Sequence, residues 1–481
     1  MTADTERTTG TRTTWVSGAD EAGYGADNLP YGVFREGGGG PARVGARIGG
    51  MVLDLAPLLR EPEFARPSLV PFMARGPIAW RAVRARIAGM LADEAGRAQA
   101  EPHLIPLERV EMAAPVAPHA HTGYLCSLEY ASNAARILAP GEEVLPGPWE
   151  DRPLGGGGRP ASVTDPGGPV PRPRGRRAAR REGNGAVPGA ALNGGWEGAP
   201  RTAAGARPPS EPGAGAAGAG GSTGNTGLIG STGSTGSAEP SGNTEPSGSA
   251  PSLAEGDLGP SRRLDVGAEL AFVVGAPSTP GSRVPVGEFA EHVFGAVLIA
   301  AWSARDLPAE DDARGPLPGR AVATSVSPWV VPLDALGAAR IPARDRRPPL
   351  PHLRSIADWA LAMGFELRVN GQTVARPRLC GAYWTPDQLV AQLTADGTAL
   401  ETGDLVSTGT VSGAGPAREE RGSLLELGDG GEHPLVLADG SERAFLEDGD
   451  RVSVTATAPG LGGGFISLGE AEGTVAPASQ E

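Results

Sequence analysis

The chain has 481 residues, length enough for two or three domains, and about a quarter of it is Gly (74) and Pro (47). Hydrophobic residues still make up 39%, so a packed core beside one low-complexity stretch is expected. All 42 basic residues are Arg and the net charge is −14, which excludes Schiff-base and ammonium catalysis by Lys and argues against nucleic-acid binding by the chain as a whole.

Along the N-terminal region, Arg43–Leu55 reads as two strands around a Gly49-Gly50 turn. Ile78–Glu94 reads as a helix whose Trp80, Val83, Ile87 and Leu91 share one buried face. The opening Met1–Thr14 is polar and does not read as a signal peptide. Between Arg172 and Arg181 six arginines cluster (Arg172, Arg174, Arg176, Arg177, Arg180, Arg181), a solvated linker edge in the plainer reading and an anion-binding surface in the sharper one. From there to Gly256 aliphatic residues nearly vanish. Ser222-Thr-Gly-Asn-Thr-Gly227 is echoed by Ser231-Thr-Gly-Ser-Thr-Gly236, and Glu239-Pro-Ser-Gly242 by Glu245-Pro-Ser-Gly248. Such a segment cannot bury enough apolar surface to offset chain entropy, so disorder, fast proteolysis and dispensability for stability are expected.

Past Gly256 the pattern turns to strands. Glu269–Val274 is one; Phe365–Val374 alternates around Asn370-Gly371, a hairpin signal. A helix follows Trp384, with Thr385 as N-cap, Pro386 at N1 and Gln388 at N3, and Asp396-Gly397 as its stop. Arg451–Thr457 alternates again, and the whole is a β-rich mixture without a βαβ pattern. The longest apolar run, Phe294–Trp302, is too short to span a bilayer.

Free-standing chemical motifs are weak. There is no Walker or HExxH sequence, and the glycine runs Gly155–Gly158 and Gly462–Gly464 lack a phosphate-loop Lys. Two cysteines, Cys126 and Cys380, give neither a disulfide framework nor a Cys-based zinc site. His119 and His121 read as a solvated loop pair, with metal ligation the sharper alternative, and His292 as a structural histidine. The chain reads as soluble and cytoplasmic.

A longer set of motifs carries a resemblance. Asn28-Leu-Pro-Tyr-Gly-Val-Phe34, Pro260-Ser-Arg-Arg-Leu-Asp265, Glu291-His-Val-Phe-Gly295, Trp302-Ser-Ala-Arg-Asp306, Ser327-Pro-Trp-Val-Val331, Tyr383-Trp-Thr385, Gly409-Thr-Val-Ser-Gly413, Gly422-Ser-Leu-Leu-Glu426 and Phe445-Leu-Glu-Asp-Gly-Asp450 follow one another in the order of fumarylacetoacetase, which the chain resembles from about Trp15 to Pro477. The resemblance implies a mixed β/α+β fold: an N-terminal SH3-like small barrel over 1–118, a fumarylacetoacetase-type β-roll begun by 119–177 and completed by 257–481, and a long disordered insertion over 178–256. It implies a homodimer and metal-dependent hydrolysis of a carbon–carbon bond in fumarylacetoacetate, a step of tyrosine breakdown, while the charge and the short apolar runs leave no membrane or nucleic-acid partner expected. In that reaction Mg²⁺ or Ca²⁺ chelates the diketone and a His–Glu pair activates water.

The residues that would carry this chemistry are mostly replaced. The family's D-F-Y-S-S-x-x-H-A-x-N motif reads Gly123-Tyr-Leu-Cys-Ser-Leu-Glu-Tyr-Ala-Ser-Asn133, which puts Gly123 at a metal carboxylate, Leu125 at a substrate Tyr and Tyr130 at the base His. L-D-x-E-L-E reads Leu264-Asp-Val-Gly-Ala-Glu269, leaving Glu269 and losing its partner at Gly267; the fourth carboxylate falls on Ala301. The Y-H-G-R-A-S-S segment reads Gly156-Gly-Gly-Arg-Pro-Ala-Ser162, the family Lys falls on Arg320 and a Gln on Pro308. Glu426 and Thr410 are retained as catalytic-type residues, and Arg305, Arg320 and Thr324 are the candidates for binding a small keto acid or carboxylate. Arg305 reads equally as a structural partner of Asp306 or another acid. One carboxylate does not hold a hard cation, and a phenol is a poor base at neutral pH, so no metal cofactor is expected and the ancestral activity is expected to be lost. A scaffold or ligand-binding homologue is the leading expectation. A metal-independent enzyme on a keto or enol acid, and residual fumarylacetoacetase activity with His121 or Glu129 as substitute ligands, are the alternatives.

Overall fold

The computed structural model describes residues 14–138, 140, 145, 147–158, 163–176, 258–307, 320–355 and 359–479. The low-complexity segment 178–256, Pro308, and Arg177, Arg180 and Arg181 of the arginine cluster therefore lie outside the described residues, as does the side chain of Arg320.

The N-terminal region builds β1 (Tyr31–Glu36), β2 (Arg43–Ile48), β3 (Met51–Asp54), helix α1 (Pro77–Ala92), β4 (Leu104–Pro106) and β5 (Val110–Ala113). The β2–β3 hairpin turns at Gly49-Gly50, and α1 buries Trp80, Val83, Ile87 and Leu91, as the spacing predicts. Next come β6 (His121–Tyr124), α2 (Leu128–Leu138), β7 (Gly155–Gly158), β8 (Leu264–Val274), β9 (Val293–Ala304), β10 (Arg320–Val326) and β11 (Trp329–Pro332). The chain continues with β12 (Trp359–Val369), β13 (Gln372–Ala375), α3 (Pro386–Leu393), β14 (Leu405–Ser407), α4 (Leu424–Leu427), β15 (Arg451–Pro459) and β16 (Phe465–Ala476).

One sheet runs β4-β3-β2-β1-β11-β9-β8-β14-β6-β7, with β5 on β1 and β10 on β9. Strands from the N-terminal region thus join those from the C-terminal region edge to edge, Tyr31 opposite Val330. A second sheet is centred on β12, β15 and β16. All eleven residues of β8 are buried. Val266, Leu270 and Phe272 face the larger core, shared with Leu367, Val454 and Leu468 of the second sheet; Ala271 and Val273 face the core that holds α1. A strand covered on both faces is apolar throughout rather than alternating. That is why Phe294–Trp302 of β9 reads as one apolar run.

Local signals fixed several elements. Asn370 (φ 52°) and Gly371 (φ 81°) make the β12–β13 turn, the left-handed pair that such a hairpin demands. Thr385 and Gln388 form the capping box of α3. The helix ends at Leu393, three residues before the Asp396-Gly397 stop expected from sequence: the Thr394 hydroxyl bonds back to the Val390 carbonyl at 3.1 Å, and Gly397 serves the turn beyond. Among the described residues no helix is long and apolar enough to cross a membrane.

Candidate functional site

Four adjacent strands, in the order β9-β8-β14-β6, bring the family's ligand positions together. Gly267 pairs with Ala301, Glu269 with Ile299, Ala271 with Ser407, and Ser407 in turn with Gly123 across the parallel β14–β6 pair. Asp265, Gly267 and Glu269 alternate on one face of β8.

Glu269 is the one carboxylate of the set, and it is nearly enclosed at 9% exposure. The Ser407 hydroxyl donates to its Oε2 at 2.8 Å. Burial pushes its pKa up to about 7, opposed by the Ser407 bond and more weakly by Arg305. Across the same hydroxyl lies His121 Nε2, at 3.3 Å. With the Ser407 proton directed at Glu269, that nitrogen is the one that carries a proton, and Nδ1 is left as a buried acceptor with no partner among the described residues. Burial pulls the His121 pKa down to about 4, so the ring is neutral. Cys126 is buried beside Glu269, and burial keeps its thiol protonated.

Gly267 is the second position. A Cβ there would stand 2.1 Å from Thr410 Oγ1, so the hydroxyl already fills the space into which a longer side chain would start. Thr410 hydrogen-bonds Tyr130, whose phenol oxygen also accepts from Arg305 Nη2 at 2.9 Å. Burial pushes the Tyr130 pKa up, so it stays a neutral phenol. Its place is set by Ser127, which caps α2 by accepting from the Tyr130 N–H at 3.1 Å. Arg305 is 7% exposed and holds Asp265, itself fully buried, through Nε and Nη2, both at 2.9 Å. Asp306, the acid adjacent in sequence, instead accepts from Ser261 Oγ and the Arg262 N–H.

Glu426 lies on α4, capped by Ser423. Its carboxylate accepts from Asn133 Nδ2 (2.9 Å), Ser412 Oγ (2.8 Å to Oε2) and Ser423 Oγ (2.9 Å). Burial raises its pKa while these three donors lower it. Thr324 is buried on β10 opposite Ala301, and Arg320 begins that strand. Thus Glu269, Thr410, Tyr130 and Arg305 belong to one connected region, and Glu426 packs at its edge through Asn133 of α2.

Sequence reasoning named His121 only as an alternative ligand in a solvated loop, and missed Ser407. His121 is no solvated loop residue: it opens β6 and is 7% exposed, whereas His119 is exposed. Ser407 carried no motif at all. Their alternation with Gly123 and Ala271 across β6, β14 and β8 is a register, and register is not visible before strand pairing is known. His292 is structural, its Nδ1 3.0 Å from the Ala276 carbonyl.

The donor set does not fit a hard divalent cation, which takes six or more oxygens in a calcium or magnesium site. Gly123 and Gly267 offer no side chain and Ala301 a methyl group. Among the described residues no group of three or more His, Cys, Asp or Glu is arranged to hold a metal.

Comparison with known proteins agrees with the motif order. The model of the fumarylacetoacetase N-terminal domain matches residues 27–115, and that of the fumarylacetoacetate (FAA) hydrolase C-terminal domain matches 244–476. The chain is 29% identical over 483 residues to human fumarylacetoacetase, covering 96% of this chain and 98% of that protein. It is 28% identical over 494 residues to the Arabidopsis thaliana enzyme, with 96% and 98% covered. To Emericella nidulans fumarylacetoacetase it is 37% identical over 231 residues, 46% of this chain and 53% of that one. With both domains matched and the relatives aligned end to end, this chain belongs to the fumarylacetoacetase family.

Proposed function

We propose that this protein no longer performs the metal-dependent hydrolysis for which its relatives are named, and that it acts as a homologue binding a small keto acid or carboxylate. The observation that carries this reading is the emptied ligand set: Gly123, Gly267 and Ala301 stand on β6, β8 and β9 of one sheet, and the surviving Glu269 is hydrogen-bonded to Ser407 of β14 between them. The base position supports it as well, since Tyr130 is engaged by Arg305 and Thr410. Arg305, Arg320 and Thr324 are the ligand-holding candidates. We read the N-terminal region to about 118 as SH3-like, 119–177 with 257–481 as a β-roll, and the protein as a cytoplasmic homodimer. Sedimentation of the full chain tests the last point.

The deciding experiment follows the enol absorbance of fumarylacetoacetate with Mg²⁺ or Ca²⁺ and then with EDTA, against an active relative. No hydrolysis by folded protein is expected, together with no saturable metal binding by calorimetry. Metal-dependent turnover would overturn the reading and make the protein a residual fumarylacetoacetase.

A second reading is favoured by the Glu269–Ser407–His121 chain: a metal-independent enzyme acting on a keto or enol acid. Turnover that persists in EDTA and falls in Glu426→Gln or Ser407→Ala would support it.

A further inference from the structure

A cavity of about 50 Å³ lies between the first turns of α1, the start of β9 and the segment after β11. It is separate from the site above: Phe294, which lines it, is seven residues along β9 from Ala301, roughly 23 Å of strand. Tyr31 of β1 reaches it. The Tyr31 ring is packed against Phe72 and Phe294, with centroids 5.4 and 5.6 Å away, so the phenol is fixed in place. Its hydroxyl is buried and has no hydrogen-bond partner among the described residues. A buried hydroxyl left unmet is unfavourable and points to a partner that the described residues do not supply.

The remaining walls indicate what that partner is. Trp80 and Phe294 are apolar, while Arg81, Arg84 and Asp334 give the lining a net formal charge of +1, from two cations and one anion. Arg84 donates to the Asn28 carbonyl at 2.6 Å and to the Asp27 carbonyl, so Arg81 is the cation that can turn to a ligand. One water needs about 10–15 Å³ by the same measure, so the space admits about four atoms of that size.

We propose that this cavity is a binding site for a small monocarboxylate of the size of acetate. The carboxylate accepts from the Tyr31 hydroxyl and faces Arg81, with its methyl group on Trp80 and Phe294. A dianion would exceed the net charge, and an aromatic acid would exceed the volume. Burial keeps the phenol protonated and hence a donor.

The test uses the full-length protein titrated with sodium acetate at constant ionic strength, read by calorimetry and by saturation-transfer NMR, with chloride and benzoate as comparison ions. Saturable acetate binding is expected, about tenfold weaker in Tyr31→Phe, since one hydrogen bond to a charged group is lost, and several-fold weaker in the exposed Arg81→Gln. Tyr31→Phe removes only an unbonded hydroxyl, so its thermal midpoint without acetate should equal or exceed that of the parent. A lower midpoint would show that ordered water already satisfies the hydroxyl, and would overturn the assignment. So would undiminished binding in Tyr31→Phe, equal binding of chloride, or no saturable binding.

Discussion

Gly267→Ala is the sharpest probe of the altered site. In an ordinary strand this change stabilises by about 0.4–1 kcal/mol, because alanine restricts the unfolded chain. Here the new methyl carbon would stand 2.1 Å from Thr410 Oγ1 and 3.2 Å from Thr410 Cβ. A real Cβ contact is well over an ångström longer than the first of these, so either Thr410 rotates, giving up its bond to Tyr130, or β8 moves against the Gly267–Ser423 bridge. Overpacking of this kind costs about 1–3 kcal/mol, which leaves a net loss of about 1–2 kcal/mol. Thr410→Ala removes Oγ1 and Cγ2, the first and third of the crowding atoms. In that background Gly267→Ala should be neutral or stabilising, a coupling of about 1–3 kcal/mol. Thermal and urea unfolding of the four proteins at one pH measures it. If Gly267→Ala were as stable as the parent, or equally harmful in both backgrounds, Thr410 would not be what fills this position.

Three further outcomes are expected. Arg305→Gln should destabilise by about 3–5 kcal/mol, because it leaves the fully buried Asp265 carboxylate without its cation, and adding Asp265→Asn should recover much of that loss in the same unfolding assay. Tyr130→Phe should cost about 1–3 kcal/mol by leaving Arg305 and Thr410 each short of a partner. Stability against pH should show two opposed slopes: Glu269, raised from 4.5 to about 7, lowers stability as pH climbs through that window, whereas His121, lowered from 6.5 to about 4, raises stability as pH climbs from 4 to 6.5. Glu269→Gln should therefore expose the rise and His121→Gln the fall, and a parent-like profile in both would refute the assignments.

What was legible in the sequence was local or carried by motif order. The Thr385–Gln388 capping box, the Asn370-Gly371 turn and the α1 stripe depend on neighbours within a few residues, and all are present. What was not legible depends on distant pairing. His121 and Ser407 are 286 residues apart and meet only because β6 lies parallel to β14. Asp306 was the sequence-adjacent candidate for Arg305, yet the β8–β9 register sets Asp265 opposite Ser303, within reach of the guanidinium. Tyr31 read as part of a motif, and only the folded packing shows that its hydroxyl borders a cavity and has no partner among the described residues.

The fate of Glu269 shows how the altered residues act together. A lone buried carboxylate is costly unless its charge is balanced or removed. In the family that balance is implied to come from a divalent cation shared with three other acids, and here those positions hold two glycines and an alanine. The alternative open to Glu269 is a proton, and its surroundings favour one: burial raises the pKa to about 7, and Ser407 can either donate to the anion or accept from the acid. The neutral His121 accompanies the exchange without adding charge. If a proton does what a cation would do, millimolar Ca²⁺ should leave the Glu269 titration unmoved, as followed by carbon-13 NMR of the labelled carboxyl with Glu269→Gln to assign the signal. Ser407→Ala should move it to higher pH, since the hydroxyl that favours the anion is gone. A Ca²⁺-dependent fall in the pKa would show instead that Glu269 still answers to a metal, and that ligands beyond the four inherited positions complete its site.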